Sequence, residues 1–213
     1  MSSNQQFDVV IVGGGMVGAS LALLLQPLMI RGLSVALVDQ HPLSLNQLQQ
    51  PSFDDRTTAL SLGTKRILES LNVWSTMESG ATAIEHIQVS QQKQFGRVRL
   101  HADESRVEAL GFVAENRVIG QGLVKGLLDC KQLTSLAPAQ VQRYEVDETG
   151  ARVQLLKDEE ELILNTQLLI VADGANSEGC RQLGIQQSQL DYQQNAVVCN
   201  VSFDRAHEQW AYE

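Results

Sequence analysis

The chain has 213 residues, 43% of them hydrophobic and 19% charged, a globular composition long enough for one domain and a fraction of another. Its 25 acidic residues against 16 basic ones give a net charge of −9 with no basic block, which excludes a phosphate-backbone binder, so no nucleic-acid partner is expected. Three separated cysteines, Cys130, Cys180 and Cys199, make no Cys-x-x-Cys clip and fit a reducing, cytoplasmic setting.

In chain order, residues 7–12 are a short β-branched run that ends in three glycines and precedes an apolar, helix-length segment, 16–30. The pattern predicts strand, tight turn and helix. Gln26 and Pro27 interrupt the apolar segment, which is shorter than the about 20 residues that span a bilayer, and no Lys or Arg precedes it as in an export signal. Gly32 is placed to stop the helix, and residues 34–39 supply a second buried-type strand, completing a βαβ unit. After a loop, residues 58–71 show helical spacing with Leu60, Ile67, Leu68 and Leu71 on one face. Residues 84–90 and 97–101 read as a hairpin through 91–96, and 117–128 as a helix. Residues 141–146 and 152–157 alternate as strands about a turn at 147–150. Residues 162–164 lead into a buried-type strand, 168–171, that ends at Asp173-Gly174, and 195–203 alternate like a half-buried strand.

The glycines Gly13, Gly15 and Gly18 follow a strand and open a helix, the context in which a three-glycine pattern becomes a dinucleotide fingerprint. Gly13 permits the tight turn, Gly15 lets the backbone approach a pyrophosphate, and Gly18 lets helix and strand pack closely. The helix N-terminus offers oriented N–H donors to that pyrophosphate. Asp39, 21 residues after Gly18 and at the end of the second strand, is placed to accept both hydroxyl hydrogens of an adenosine ribose. Its carboxylate would repel a 2′-phosphate, which favours FAD or NAD over NADP at this site. The four histidines have no metal spacing, so no metal is expected, and no Gly-x-Ser-x-Gly elbow supports a nucleophile.

Three segments carry a resemblance to a known family: Asp8-Val-Val-Ile-Val-Gly-Gly-Gly-Met-Val-Gly18, Asp55-Arg56-Thr-Thr-Ala-Leu-Ser61 and Val171-Ala-Asp173-Gly174-Ala-Asn-Ser177. Together they are similar to the FAD-dependent aromatic hydroxylases of the para-hydroxybenzoate hydroxylase type, across essentially the whole chain. Residues 53–63, Asn72-Val-Trp74, 82–90 and Gly120-Gln121-x-Leu123 look most like the ubiquinone-biosynthesis subgroup, 2-octaprenyl-6-methoxyphenol hydroxylases above all.

The resemblance implies an α/β fold, a Rossmann-like FAD-binding domain with inserted strands of a substrate-binding β-sheet domain. It assigns residues 1–84 and 113–190 to the FAD domain and 85–112 and 191–213 to the substrate domain, both C-terminally incomplete. It implies that NAD(P)H reduces the flavin, that O2 is captured as a flavin C4a-hydroperoxide, and that oxygen passes to the ring of a polyprenyl phenol. The cofactor performs that chemistry, so no catalytic side chain is named. By resemblance Arg56 reaches FAD near the pyrophosphate and flavin, where a guanidinium can donate to phosphate in bidentate fashion; on its own residues it would pair with Asp54 or Asp55 at the surface. Asn116 stands where relatives place a polar residue against the cofactor, and is equally a helix N-cap type. Gln121 is a further cofactor candidate or a plain surface residue. Asp173 and Gly174 lie, in the family, near FAD and the path of the nicotinamide, and as plain residues they make a turn with Gly174 at positive φ. An Arg commonly sits three residues after the Ser of that motif, where this chain has Cys180, with Arg181 next. A greasy substrate implies peripheral contact with the inner membrane or a biosynthetic complex. An NAD-binding oxidoreductase, or a non-catalytic nucleotide-binding module sharing only the βαβ unit, is the alternative.

Overall fold

The computed structural model describes residues 3–46, 48–201 and 204–213. In chain order the elements are β1 (Ser3–Val12), α1 (Met16–Leu24), α2 (Gln26–Met29), β2 (Val35–Val38), β3 (Thr57–Ser61), α3 (Leu62–Ser70), α4 (Trp74–Met77), β4 (Ala81–Ile84) and β5 (His86–Ser90). They continue with β6 (Arg97–His101), β7 (Gly111–Glu115), α5 (Asn116–Asp129), β8 (Thr134–Leu136), β9 (Gln140–Asp147), β10 (Gly150–Lys157), β11 (Glu160–Val171), α6 (Glu178–Gln182) and β12 (Trp210–Tyr212). The chain forms two compact units: Met1–Phe53 with Leu123–Gln194, and Asp54–Gly122 with Asn195–Glu213.

The first unit is built on a six-stranded sheet in the order β8-β2-β1-β11-β10-β9. Strands β8, β2, β1 and β11 run parallel, and β11, β10 and β9 form an antiparallel meander. The β-branched runs of β1 and β2 suit this place because both faces of the parallel part are covered. On one face Val10, Val12, Ala36 and Val38 join Phe7, Leu155 and Leu164 in a single buried cluster. Val9, Ile11, Val35 and Leu37 are buried on the other, as are Ala19, Ala22 and Leu23 of α1. Fully burying one such side chain contributes roughly 1.5–3 kcal/mol, so the pattern sets register as well as stability. The expected helix over 16–30 is divided at Leu25, because Pro27 has no N–H to donate and sits in the first turn of α2. Gly32, at φ +107°, closes the end as anticipated.

Two further expectations change in this unit. The two short strands read at 162–164 and 168–171 are one strand, β11, because the polar residues between them are satisfied along the ladder. Thr166 Oγ1 donates to the carbonyls of Asp8 and Leu168, each at 3.0 Å. Its C-terminal half is half-buried rather than buried, with Leu168 53% exposed.

The second unit holds two three-stranded sheets, β3-β7-β4 and β12-β5-β6. Residues 58–61, expected to begin the helix read over 58–71, belong instead to strand β3, paired antiparallel with β7. Their β-branched start and alternating exposure suit an edge better than a helix. The helix begins only at Leu62, where Ser61 Oγ accepts from the Thr64 N–H at 3.1 Å. Leu68 is buried as expected, but Ile67 is 50% exposed. The hairpin of β5 and β6 forms as read, with His86 opposite His101. The half-buried strand expected at 195–203 is not formed over 195–201, where Val197 is 92% exposed; Ser202 and Phe203 lie outside the described residues. Alternation encodes a face, but a strand also needs an edge to pair with, and residues 195–201 have none among the described residues.

Candidate functional site

In the first unit the carboxyl ends of β1, β2 and β11 meet. The Gly13 N–H donates to the carbonyl of Val38 at 2.8 Å, and the Ala172 N–H to that of Val12 at 2.7 Å. The chain leaves β1 in one direction to reach β2 and later returns as β11 on the other side, so this is the switch point of the parallel sheet, where ligands of open α/β folds bind. Gly13 has φ +108°, and a Cβ there would stand 2.2 Å from the Ala172 carbonyl oxygen. A Cβ on Gly18 would stand 1.8 Å from the Gly13 carbonyl oxygen. Gly15 caps α1 with extended backbone, and its absent side chain leaves only Ser52 Oγ within 3.0 Å. The helix has no side-chain cap and no acidic residue in its first turn; the Ala19 N–H is bonded to Gly15, leaving the preceding amides as donors.

Asp39 is buried beside this turn. Its Oδ2 accepts from the Gly14 N–H at 2.5 Å and its Oδ1 from the His41 N–H at 2.7 Å. A carboxylate has about four acceptor positions, so capacity for ribose hydroxyls is left after these two. Asp173 accepts from the Gly179 N–H at 2.9 Å through Oδ2, while its buried Oδ1 has no partner among the described residues. Gly174 adopts φ +92°, as read from the turn. The Asp173 carboxylate, after burial itself, helps push the Tyr144 phenol well above the usual tyrosine range. Arg181 is paired with Glu178 in an exposed contact. Thus Gly13, Gly15, Gly18, Asp39, Asp173 and Gly174 share one region of one unit. The cradle that Cβ atoms would fill, the open helix end and the spare acceptors of Asp39 fit the pyrophosphate and adenosine of FAD.

The other candidates belong to the second unit and are organised around Asp54. Its carboxylate accepts from the Arg56 N–H at 3.0 Å, from Arg56 Nε at 2.6 Å and from Asn116 Nδ2 at 3.0 Å. Desolvation works to raise its pKa, but the side-chain and backbone donors of Arg56, then Asn116, outweigh it and hold the carboxyl below its usual range. Arg56 is exposed and held through Nε alone, which leaves its terminal nitrogens turned to other uses. Asn116 is the first residue of α5 rather than its cap; buried, it takes a 2.6 Å bond from Thr58 Oγ1 on Oδ1. Gln121 is half-buried.

Replacing Asn116 with Leu strips Asp54 of a donor and Thr58 of an acceptor, and is expected to lower stability by about 1–3 kcal/mol in urea unfolding. Because the native Asp54 carboxyl titrates below the ordinary aspartate value of about 3.9, what its donors contribute is present above that pH and is lost as pH falls through the native value. The wild-type advantage over Asn116→Leu should therefore narrow in acid.

Sequence reading missed three features. Ser52 and Gln50 sit in the loop after Asp39, and the Gln50 amide is buried with neither atom partnered among the described residues. A Gln-rich loop carries no period that would single it out. His86 and His101 are joined Nδ1 to Nδ1 at 2.9 Å and pack against Trp210, His86 at a tilt and His101 edge-on, a cluster visible only once β12 pairs with β5. Among the described residues no three His, Cys, Asp or Glu side chains gather as a metal site, and no helix is long and apolar enough to cross a membrane.

The family described as FAD binding domain matches residues 6–212, far beyond the βαβ unit. The chain belongs to that family. It is 30% identical over 216 residues to the ubiquinone hydroxylase UbiL of Rhodospirillum rubrum, covering 100% of this chain and 47% of UbiL. It is 28% identical over 200 residues to the 3-demethoxyubiquinol 3-hydroxylase of Escherichia coli, covering 93% of this chain and 49% of that one. The chain thus spans about half the length of the curated relatives it matches. Among solved structures, the flavin-dependent monooxygenase PieE, in complex with FAD and substrate, aligns with a TM-score of 0.67 at 21% identity, over 87% of this chain and 33% of PieE. The fold is that of FAD-binding monooxygenases, and these two relatives are named as hydroxylases of ubiquinone or of demethoxyubiquinol.

Proposed function

We propose that this FAD-binding chain serves a monooxygenase that hydroxylates the ring of a polyprenyl phenol in ubiquinone biosynthesis, with NAD(P)H as electron donor and O2 as co-substrate. What carries the reading is the convergence of the glycine turn, Asp39 and Asp173-Gly174 at the carboxyl end of one sheet, in a chain with relatives named ubiquinone hydroxylases. FAD, when bound, supplies the redox and oxygen chemistry; the protein binds, orients and excludes water.

Backbone amides at the open start of α1, up to Gly18, hold the pyrophosphate and Asp39 the adenosine ribose. Arg56 donates from its terminal nitrogens to the cofactor, with Asp54 and Asn116 fixing its backbone and Nε. Gln121, Asp173 and Gly174 complete the cofactor side. In this reading residues 1–84 and 113–190 serve the cofactor and 85–112 and 191–213 the substrate. A polyprenyl tail keeps the substrate in lipid, so the protein works as a peripheral cytoplasmic partner of the inner membrane.

The test is aerobic turnover of the FAD-loaded protein with NADH or NADPH and detergent-dispersed polyprenyl phenols. The expected product is a phenol that has gained one oxygen atom, labelled when 18O2 is supplied. Reductant consumption that never labels a phenol would contradict the reading.

A further inference from the structure

The β5–β6 hairpin of the second unit is polar on one face and apolar on the other. Register places His86, Gln88, Arg99 and His101 on the first face with Trp210 and Tyr212 of β12. There the side chains are mutually engaged: the Arg99 guanidinium lies 5.3 Å over the Trp210 ring and its Nε donates to Gln88 at 3.0 Å. On the opposite face Val89, Val98 and Leu100 are exposed, Val98 by 60%. At the tip, beyond the last pair Ser90↔Arg97, Phe95 stands fully exposed. Apolar surface gathered in one place is costly in water and marks an interaction site.

Charge identifies the occupant. Residues 91–101 carry Lys93, Arg97 and Arg99 and no carboxylate, in a chain whose net charge is −9. This local reversal of sign, around an aromatic tip and an aliphatic face, complements an anionic bilayer. Aromatic and aliphatic groups enter the boundary between headgroups and acyl chains, while Lys and Arg remain at the lipid phosphates. Three cations without a longer basic tract are too few for a nucleic-acid track.

We propose that the β5–β6 hairpin is a lipid-docking element, with Phe95 and Val98 entering the interface of an anionic membrane and Lys93 and Arg97, next to the tip, held at its phosphates. This deepens the reading given above, in which the substrate lies in lipid, by naming the surface through which the protein meets it.

The experiment is co-sedimentation of the intact protein with phosphatidylcholine vesicles and with vesicles that also contain phosphatidylglycerol. Binding is expected on the anionic vesicles only, and to weaken with salt. Phe95→Ser should weaken it about tenfold or more, and each of Lys93→Gln and Arg97→Gln about fivefold. Far-UV circular dichroism and FAD retention should be unchanged in all three, since these side chains are exposed. In Phe95→Trp, the new fluorescence should be quenched by lipids brominated on their acyl chains. Equal binding of wild type and Phe95→Ser, no binding to either vesicle, or an unquenched Phe95→Trp would overturn the proposal. So would conversion of an oligomer to a monomer by Phe95→Ser without vesicle binding, since the face would then serve a second copy of the chain. Vesicle binding absent in the wild type with phenol hydroxylation intact sinks the docking element alone. Hydroxylation absent with vesicle binding intact sinks the catalytic reading alone.

Discussion

Gly18→Ala is expected to abolish FAD retention and to destabilise the fold. The added Cβ would lie 1.8 Å from the Gly13 carbonyl oxygen and 3.3 Å from Ile11 Cγ2. The first obstacle is backbone, and that backbone is the phosphate-binding turn, so relief of the clash moves the site itself. Overpacking of this kind costs typically about 1–3 kcal/mol and here also removes donor geometry. Gly13→Ala should behave alike, because it adds strain at φ +108° to a 2.2 Å approach to Ala172. Gly15→Ala is the discriminating control. Its φ is −70° and its only near neighbour is the rotatable Ser52 hydroxyl at 3.0 Å. It should stay near wild type in urea unfolding yet still lose flavin absorbance per chain, since the methyl group occupies the path of the pyrophosphate. A Gly18→Ala protein that purifies with full flavin content would show that the turn does not hold the cofactor.

Asp39→Ala carries the second large effect. It leaves the N–H groups of the buried Gly14 and the half-buried His41, bonded at 2.5 and 2.7 Å, without their acceptor. A buried unsatisfied group costs about 1–3 kcal/mol, so a loss of about that size, most of it from Gly14, is expected in chemical unfolding. Asp39→Asn is the better probe of recognition because it keeps the shape while removing the charge. Wild-type protein should take ADP in preference to 2′-phosphorylated ADP, and Asp39→Asn should narrow that preference about tenfold or more. Unchanged preference would mean that Asp39 only braces the turn.

The βαβ unit was legible because its signals are local: a β-branched run, glycines whose spacing follows from helix geometry, and an acid at the next strand end. The structure adds why each glycine is needed, through the contacts that Gly13 makes with Ala172 and Gly18 with Gly13. Where local pattern and pairing disagreed, pairing prevailed. Residues 58–71 have helical spacing in Leu60, Ile67 and Leu68, but those up to Ser61 lie beside β7 and become a strand, and the helix starts only at Leu62. Residues 195–201 alternate like a strand and find no edge. Asp54 was legible only as a neighbour of Arg56, because its bond to Asn116 joins positions 62 residues apart. The same distance effect hid the His86–His101–Trp210 cluster, assembled from three separate strands.

The central claim is that the turn at Gly13–Gly18 and Asp39 hold the ADP portion of FAD. A fluorescence titration with FAD, using ADP and FMN as competitors, tests it most directly. The account predicts saturable binding of one FAD per chain, displaced by ADP and not by FMN. Displacement by FMN but not ADP, or tight binding of NAD with none of FAD, would contradict it.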